Sequence, residues 1–161
     1  MQRNVVLFQL PMLALGATVM TFGSAAAQTP SVRYINPSTM AKPPGYTRVV
    51  EVNGPGRTIY IAGQLGYDSA GKQGADFREQ ATLVYENLKA AIESVGGKME
   101  NIVKLNAFLT DIRAQLPIYR EVRDKFVNVA SPPASTTLEV PKLAREGALL
   151  EVEAIAVLPA R

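Results

Sequence analysis

The chain has 161 residues and a formal net charge of +3, with 47% hydrophobic and 19% charged residues, the balance of an ordinary globular protein. It contains no Cys and no His, which excludes disulfides, thiol nucleophiles and histidine-based triads and leaves carboxylates alone for any zinc site. Lys and Arg are scattered among acidic residues, and neither a nucleic-acid motif nor a Gly-rich phosphate loop accompanies them, so no DNA or RNA partner, no metal and no cofactor is expected.

Residues 1–27 differ from the rest. Gln2 and Arg3 lead into an apolar run from Val5 to Met20, and Ser24-Ala25-Ala26-Ala27 follows, the n-region, h-region and small-residue cleavage site of a secretory signal. Gln9, Pro11 and Gly16 interrupt a run already shorter than the ~20 residues needed to span a bilayer. Cleavage after Ala27 leaves 134 residues (161 less 27), and no Cys is available for lipid attachment. The expectation is a soluble periplasmic or secreted protein, not held at a membrane once the signal is removed. Its 134 residues suffice for one core of the usual domain size.

Residues 28–44 form a leader rich in Pro, Ser and Thr, with a short apolar stretch at Val32 to Ile35 that suits an edge strand. The domain proper is placed at 45–161. Tyr46 to Val52 and Arg57 to Ala62 are rich in β-branched and aromatic residues, and Asn53-Gly54-Pro55-Gly56 between them predicts a hairpin. After a turn at Asp68 to Lys72, apolar residues from Phe77 to Val95 recur at steps of three and four, an amphipathic helix stopped by Gly96-Gly97. Ile102 to Thr110 alternates as a strand does, with Val103, Leu105, Ala107 and Leu109 on one face.

A second helical pattern, Leu116, Tyr119, Val122, Phe126 and Val129, is read as starting near Ala114, with Pro117 in its first turn, and stopping before Pro132-Pro133. Arg120, Arg123, Asp124 and Asn128 fall on its wetter side. Ser135 to Val140 and Leu149 to Leu158 close the chain as two strands about a turn at Arg145-Glu146-Gly147. The order ββαβαββ is that of an α+β domain with two helices on one face of a mixed sheet. The other sheet face then needs a cover, and self-association is the economical one. In the last strand that face carries Glu151 and Glu153 among Leu149, Ile155 and Val157, and a carboxylate buried there would require a partner.

Several segments, in order, resemble the signatures of the Rid (YjgF-like) family. They are Pro44-Gly45-Tyr46, Ile59-Tyr60-Ile61-Ala62-Gly63-Gln64, Gly96-Gly97, Ile102-Val103-Lys104, Asp111, Pro133-Ala134, Leu138-Glu139-Val140, and Leu150 to Val157. The resemblance implies a chorismate-mutase-like fold and a homotrimer whose sheets form a central barrel, with three clefts at the subunit boundaries that bind small molecules. It also implies hydrolysis of reactive enamines and imines, the activity of the family's best-known members. In those members an arginine after the Pro-Ala pair binds the substrate carboxylate; Ser135 stands at that position here, Thr137 where the family has Cys, and Ala62 where it has a small hydroxyl residue. Tyr46, Gly63 and Glu151 match the family's pocket.

Glu151 is the candidate catalytic residue, positioning or activating a water for attack on an imine carbon; its alternative is an interface carboxylate held by donors. Tyr46, Gly63, Ser135 and Thr137 are the candidate substrate-binding residues, each with a structural alternative in packing, a bulge or strand-end hydrogen bonding. Arg120 or Arg123 could restore the lost charge from the second helix, although helix arginines are usually solvated. Two functions remain open, an imine or enamine hydrolase and a trimeric module that binds a metabolite or a protein without turnover.

Overall fold

A computed structural model describes residues 29–161, so the signal segment read at 1–27 lies outside the described residues. The elements are β1 (Ser31–Ile35), β2 (Val49–Asn53), β3 (Gly56–Leu65), α1 (Phe77–Ser94), a 3-10 turn (Met99–Asn101), β4 (Ile102–Leu109), α2 (Ile112–Arg123), β5 (Ala134–Glu139) and β6 (Leu150–Pro159).

β3, β6, β4 and β5 lie side by side in that order, antiparallel except for the parallel β4–β5 pair, and the helices pack on one face. The leader's apolar stretch does form a strand, but it changes the pairing expected of its neighbour. β2 pairs antiparallel with β1, from Ser31–Asn53 to Ile35–Val49, in a separate two-stranded sheet, while β3 pairs with β6. The expected β2–β3 hairpin is therefore corrected: Gly54, at φ +92°, turns the chain between two sheets rather than folding one strand back on the other.

α1 runs where its apolar spacing predicts. Asp76 caps it by accepting from the Glu79 N–H at 2.8 Å, and Glu79 reaches back to accept from the Ala75 N–H, also at 2.8 Å. At the other end Gly96, at φ +81°, and Gly97 donate to the carbonyls of Glu93 and Ile92, both at 3.0 Å, so the glycine pair ends the helix by satisfying its last acceptors. α2 starts earlier and ends sooner than its sequence pattern implies. Asp111 caps it through the Ala114 N–H at 3.0 Å, which leaves Pro117 inside the helix, where one backbone bond is lost. The chain leaves the helix after Arg123, and Val129, read as part of the apolar stripe, is 62% exposed.

The core lies between the helices and one face of the sheet. Val84, Tyr85, Leu88 and Ile92 of α1 and Tyr119 and Val122 of α2 meet Leu105, Ala107 and Leu109 of β4 and the alternate residues Leu150, Val152, Ala154 and Ala156 of β6. The alternation read from β6 is observed; in β4 it holds from Lys104 onward, while a register shift between Ile102 and Lys104 puts Ile102 rather than Val103 in the core cluster. The opposite face carries Thr58 and Tyr60, Lys104 and Asn106, Glu151 and Glu153, and nothing in the chain's four-stranded layer covers Tyr60, which is 78% exposed.

Candidate functional site

Ser135 and Thr137 sit on β5, the edge of the sheet, opposite Leu105 and Ala107 of β4, so both point to the helix side. The segment before β2 closes that edge. Thr47 bridges to Ala134, its N–H donating to the Pro133 carbonyl at 3.2 Å and its hydroxyl to the Pro132 carbonyl at 2.6 Å, and this brings Tyr46 beside the start of β5. Pro44 and Tyr46, four α2 residues (Ile112, Leu116, Arg120 and Arg123) and the two hydroxyl residues of β5 enclose a pocket of about 270 Å³. Three of the expected binding residues, Tyr46, Ser135 and Thr137, thus share one cavity. Among the described residues the Ser135 hydroxyl is buried there without a hydrogen-bond partner, which costs free energy unless something in the cavity satisfies it.

Arg123 corrects the expectation of a solvated helix arginine: it is only 5% exposed. Its Nε and Nη2 donate to Asp124 Oδ1 at 2.8 and 2.7 Å, and its guanidinium lies 5.8 Å from the centre of the Tyr119 ring. The glycine of Pro44-Gly45-Tyr46 makes room for it. Gly45 is at φ +77°, and a Cβ added there would stand 2.5 Å from Arg123 Nη2. A signal was present in the sequence, since Arg123 follows Tyr119 by four residues and so shares the face of an apolar-stripe residue. Beneath it the Tyr85 hydroxyl donates to the Tyr119 hydroxyl at 3.0 Å, and burial pushes both phenols above their ordinary value, Tyr85 the further.

Gly63 and Glu151 meet elsewhere. Between Ile61–Ala154 and Gln64–Val152 the register of β3 gains one residue on β6, a bulge at Ala62-Gly63. The bulge presses the backbone against the half-buried Glu151: a Cβ on Gly63 would stand 1.8 Å from Glu151 Oε1. The structural alternative for this glycine, a bulge at a close approach, is what the chain shows. The two carboxylates of β6 differ in their partners. Glu153 accepts from Asn106 Nδ2 at 2.8 Å, beside a pocket of about 320 Å³ on the open face, whereas among the described residues Glu151 has no hydrogen-bond donor.

The two groups do not meet within one chain. Glu151 pairs with Phe108 and faces away from the helices, Ser135 faces toward them, and β4 separates their strands. At about 4.8 Å per strand spacing they stand two spacings apart on opposite faces. The candidate residues therefore fall in two separate clusters of the chain.

The family described as Endoribonuclease L-PSP matches residues 39–158. The chain belongs to this family, the Rid (YjgF-like) proteins. A RutC family protein of Aquifex aeolicus is 36% identical over 113 residues, 70% of this chain and 87% of the relative. A 2-iminobutanoate/2-iminopropanoate deaminase of Dermatophagoides farinae is 32% identical over 117 residues, 70% of this chain and 85% of the relative. The crystal structure of a Rid-family protein from Yersinia pestis matches with a TM-score of 0.71 at 30% identity, covering 79% of this chain and 98% of the other. The α+β fold implied by the family signatures is thus the Rid fold, two helices on a mixed sheet.

Proposed function

We propose that this Rid protein is an exported hydrolase of small imines or enamines. In this reading it works as a homotrimer in which the Tyr46–Ser135–Thr137 pocket of one subunit faces the Gly63–Glu151 edge of the next. The observation that carries the reading is Glu151: a half-buried carboxylate, packed on a glycine backbone, with no protein donor occupying it while its neighbour Glu153 is bonded to Asn106. The division of the matching residues between two half-sites and the uncovered sheet face support assembly. The named deaminase relative supports the substrate class.

In this mechanism Glu151 accepts a proton from water as the water oxygen attacks the imine carbon. The C=N π pair moves to nitrogen, which takes the proton back from Glu151. Collapse of the carbinolamine then gives its hydroxyl proton through Glu151 to the nitrogen as the C–N bond breaks, yielding a carbonyl compound and ammonia and leaving Glu151 ionised. A backbone N–H at the Gly63 bulge orients the ligand, and the Tyr46 ring covers it.

The second reading, a trimer that captures a metabolite without turnover, is favoured by Ser135, whose neutral hydroxyl stands where the deaminating relatives of the family carry a cation. The family's endoribonuclease description has less support in this chain, because without histidine it lacks the usual general acid–base pair for RNA cleavage.

The experiment is ammonia release by the mature chain from 2-iminobutyrate and 2-iminopropionate generated in situ, beside Glu151→Gln and Ser135→Arg. Turnover lost in Glu151→Gln supports the hydrolase; saturable binding without product supports the module. N-terminal sequencing of exported protein tests cleavage after Ala27, and light scattering tests the trimer.

A further inference from the structure

We infer that α2, not β5, supplies the cationic anchor of the Tyr46–Ser135–Thr137 pocket, with Arg120 and Arg123 binding a small monocarboxylate that also takes up the buried Ser135 hydroxyl. This deepens the hydrolase reading and rests on it for the reactive end of the ligand; the anchor itself is a matter of binding alone.

The pocket is lined by two guanidinium groups and no carboxylate. The one acid bonded to them is Asp124, half-exposed, and both of its contacts are through Oδ1 to Nε and Nη2 of Arg123. Among the described residues Arg123 Nη1 and the guanidinium of the exposed Arg120 have no protein partner, so the pocket and its rim carry one positive charge in excess of Asp124. Burying a charge as deeply as Arg123 is costly unless it is paired. Asp124, near water, pairs with it from one side only.

The Ser135 hydroxyl is the second observation. It is buried with no partner, and it lies on β5 facing α2, where a bound oxygen would satisfy it. A guanidinium fork and a hydroxyl suit a planar carboxylate. Apart from Thr137 the remaining walls are Pro44, Ile112, Leu116 and the Tyr46 ring, which suit a short alkyl chain. At about 270 Å³ the cavity has room for a small ligand.

The test is titration calorimetry of the mature chain with 2-oxobutyrate and with its neutral amide, 2-oxobutyramide. Expected are saturable binding of the acid, binding of the amide weaker by about ten- to a hundred-fold, and a similar loss for the acid in Arg120→Gln. Ser135→Ala weakens the acid by about five-fold. Arg123→Lys keeps the charge but not the fork, so a folded Arg123→Lys protein that binds the acid about ten-fold less tightly is also expected. Equal affinity for acid and amide, no binding of either, or an unchanged affinity in Arg120→Gln overturns the assignment. Arg120-dependent binding without imine turnover would sink the hydrolase reading and leave the anchor standing. Turnover with kcat/KM unmoved by Arg120→Gln would do the reverse.

Discussion

The two faces of the four-stranded sheet use the same strands for different ends. On the helix side, Leu105, Ala107 and Leu109 of β4 and Leu150, Val152, Ala154 and Ala156 of β6 are buried against α1 and α2. On the other side the alternate positions of those strands hold Lys104, Asn106, Glu151 and Glu153, with Tyr60 of β3 standing in the open. Hydrophobic burial explains the first set completely. The second set does nothing for the protomer's core, and the difference teaches where to look for assembly and chemistry: among ordered positions that packing within one chain leaves unexplained.

Substitutions can break this contrast, and the largest effect belongs to the core. Leu105→Ala should destabilise the protein by about 2–5 kcal/mol in denaturant unfolding, since the side chain is fully buried and the rigid layers cannot close the cavity. Tyr85→Phe should cost about 1–3 kcal/mol by leaving the buried Tyr119 hydroxyl without its partner. It also sharpens a pH effect. Burial raises both phenols above a phenol's ordinary value of about 10, so the unfolded chain ionises first. Their contribution is complete below pH 10 and is lost as pH rises through the folded-state values. Stability measured above pH 10 should therefore fall less steeply in Tyr85→Phe than in the parent.

Smaller changes probe the open face. Gly63→Ala forces the Glu151 carboxylate to swing aside, at about 1 kcal/mol, and the double variant with Glu151→Ala should recover most of that loss, because the added methyl then meets space. Tyr60→Ala should change protomer stability by no more than about 0.5 kcal/mol while shifting light scattering toward monomer. A large loss of protomer stability would mean that the open face supports the chain's own fold.

Much of this arrangement was legible in the sequence. The steps of three and four from Phe77 onward, closed by Gly96-Gly97, specify α1, and the alternation in β6 and in β4 from Lys104 onward specifies which side each residue faces; the irregularity at Ile102-Val103 leaves no mark in the pattern. Strand partners were not legible in the same way. The β2 and β3 segments are separated by turn residues and read as a hairpin, yet β3 finds its partner in β6, across about a hundred residues, and β2 goes to the leader. Local turn chemistry cannot weigh such distant competitors.

The site was legible only as a set of residue types. Tyr46, Ser135 and Thr137 do share a cavity, and Gly63 does meet Glu151, but that these are two places follows from strand order and facing, neither of which a motif contains. The residue type alone puts Arg123 on the wet side of α2, where helix arginines usually lie. Its burial depends on Gly45, nearly eighty positions earlier, leaving room for a guanidinium.

The central claim is that one working site is made from two subunits, and complementation between inactive variants tests it most directly. Glu151→Gln impairs one half-site, and Ser135→Asp, which places a carboxylate in the anion pocket, impairs the other. Refolded together in equal amounts, the two should regain about a quarter of the parent's imine turnover, the share of subunit boundaries at which both halves are intact under random assembly. No recovery in a mixture that has demonstrably exchanged subunits would contradict the account and place the whole site within a single chain.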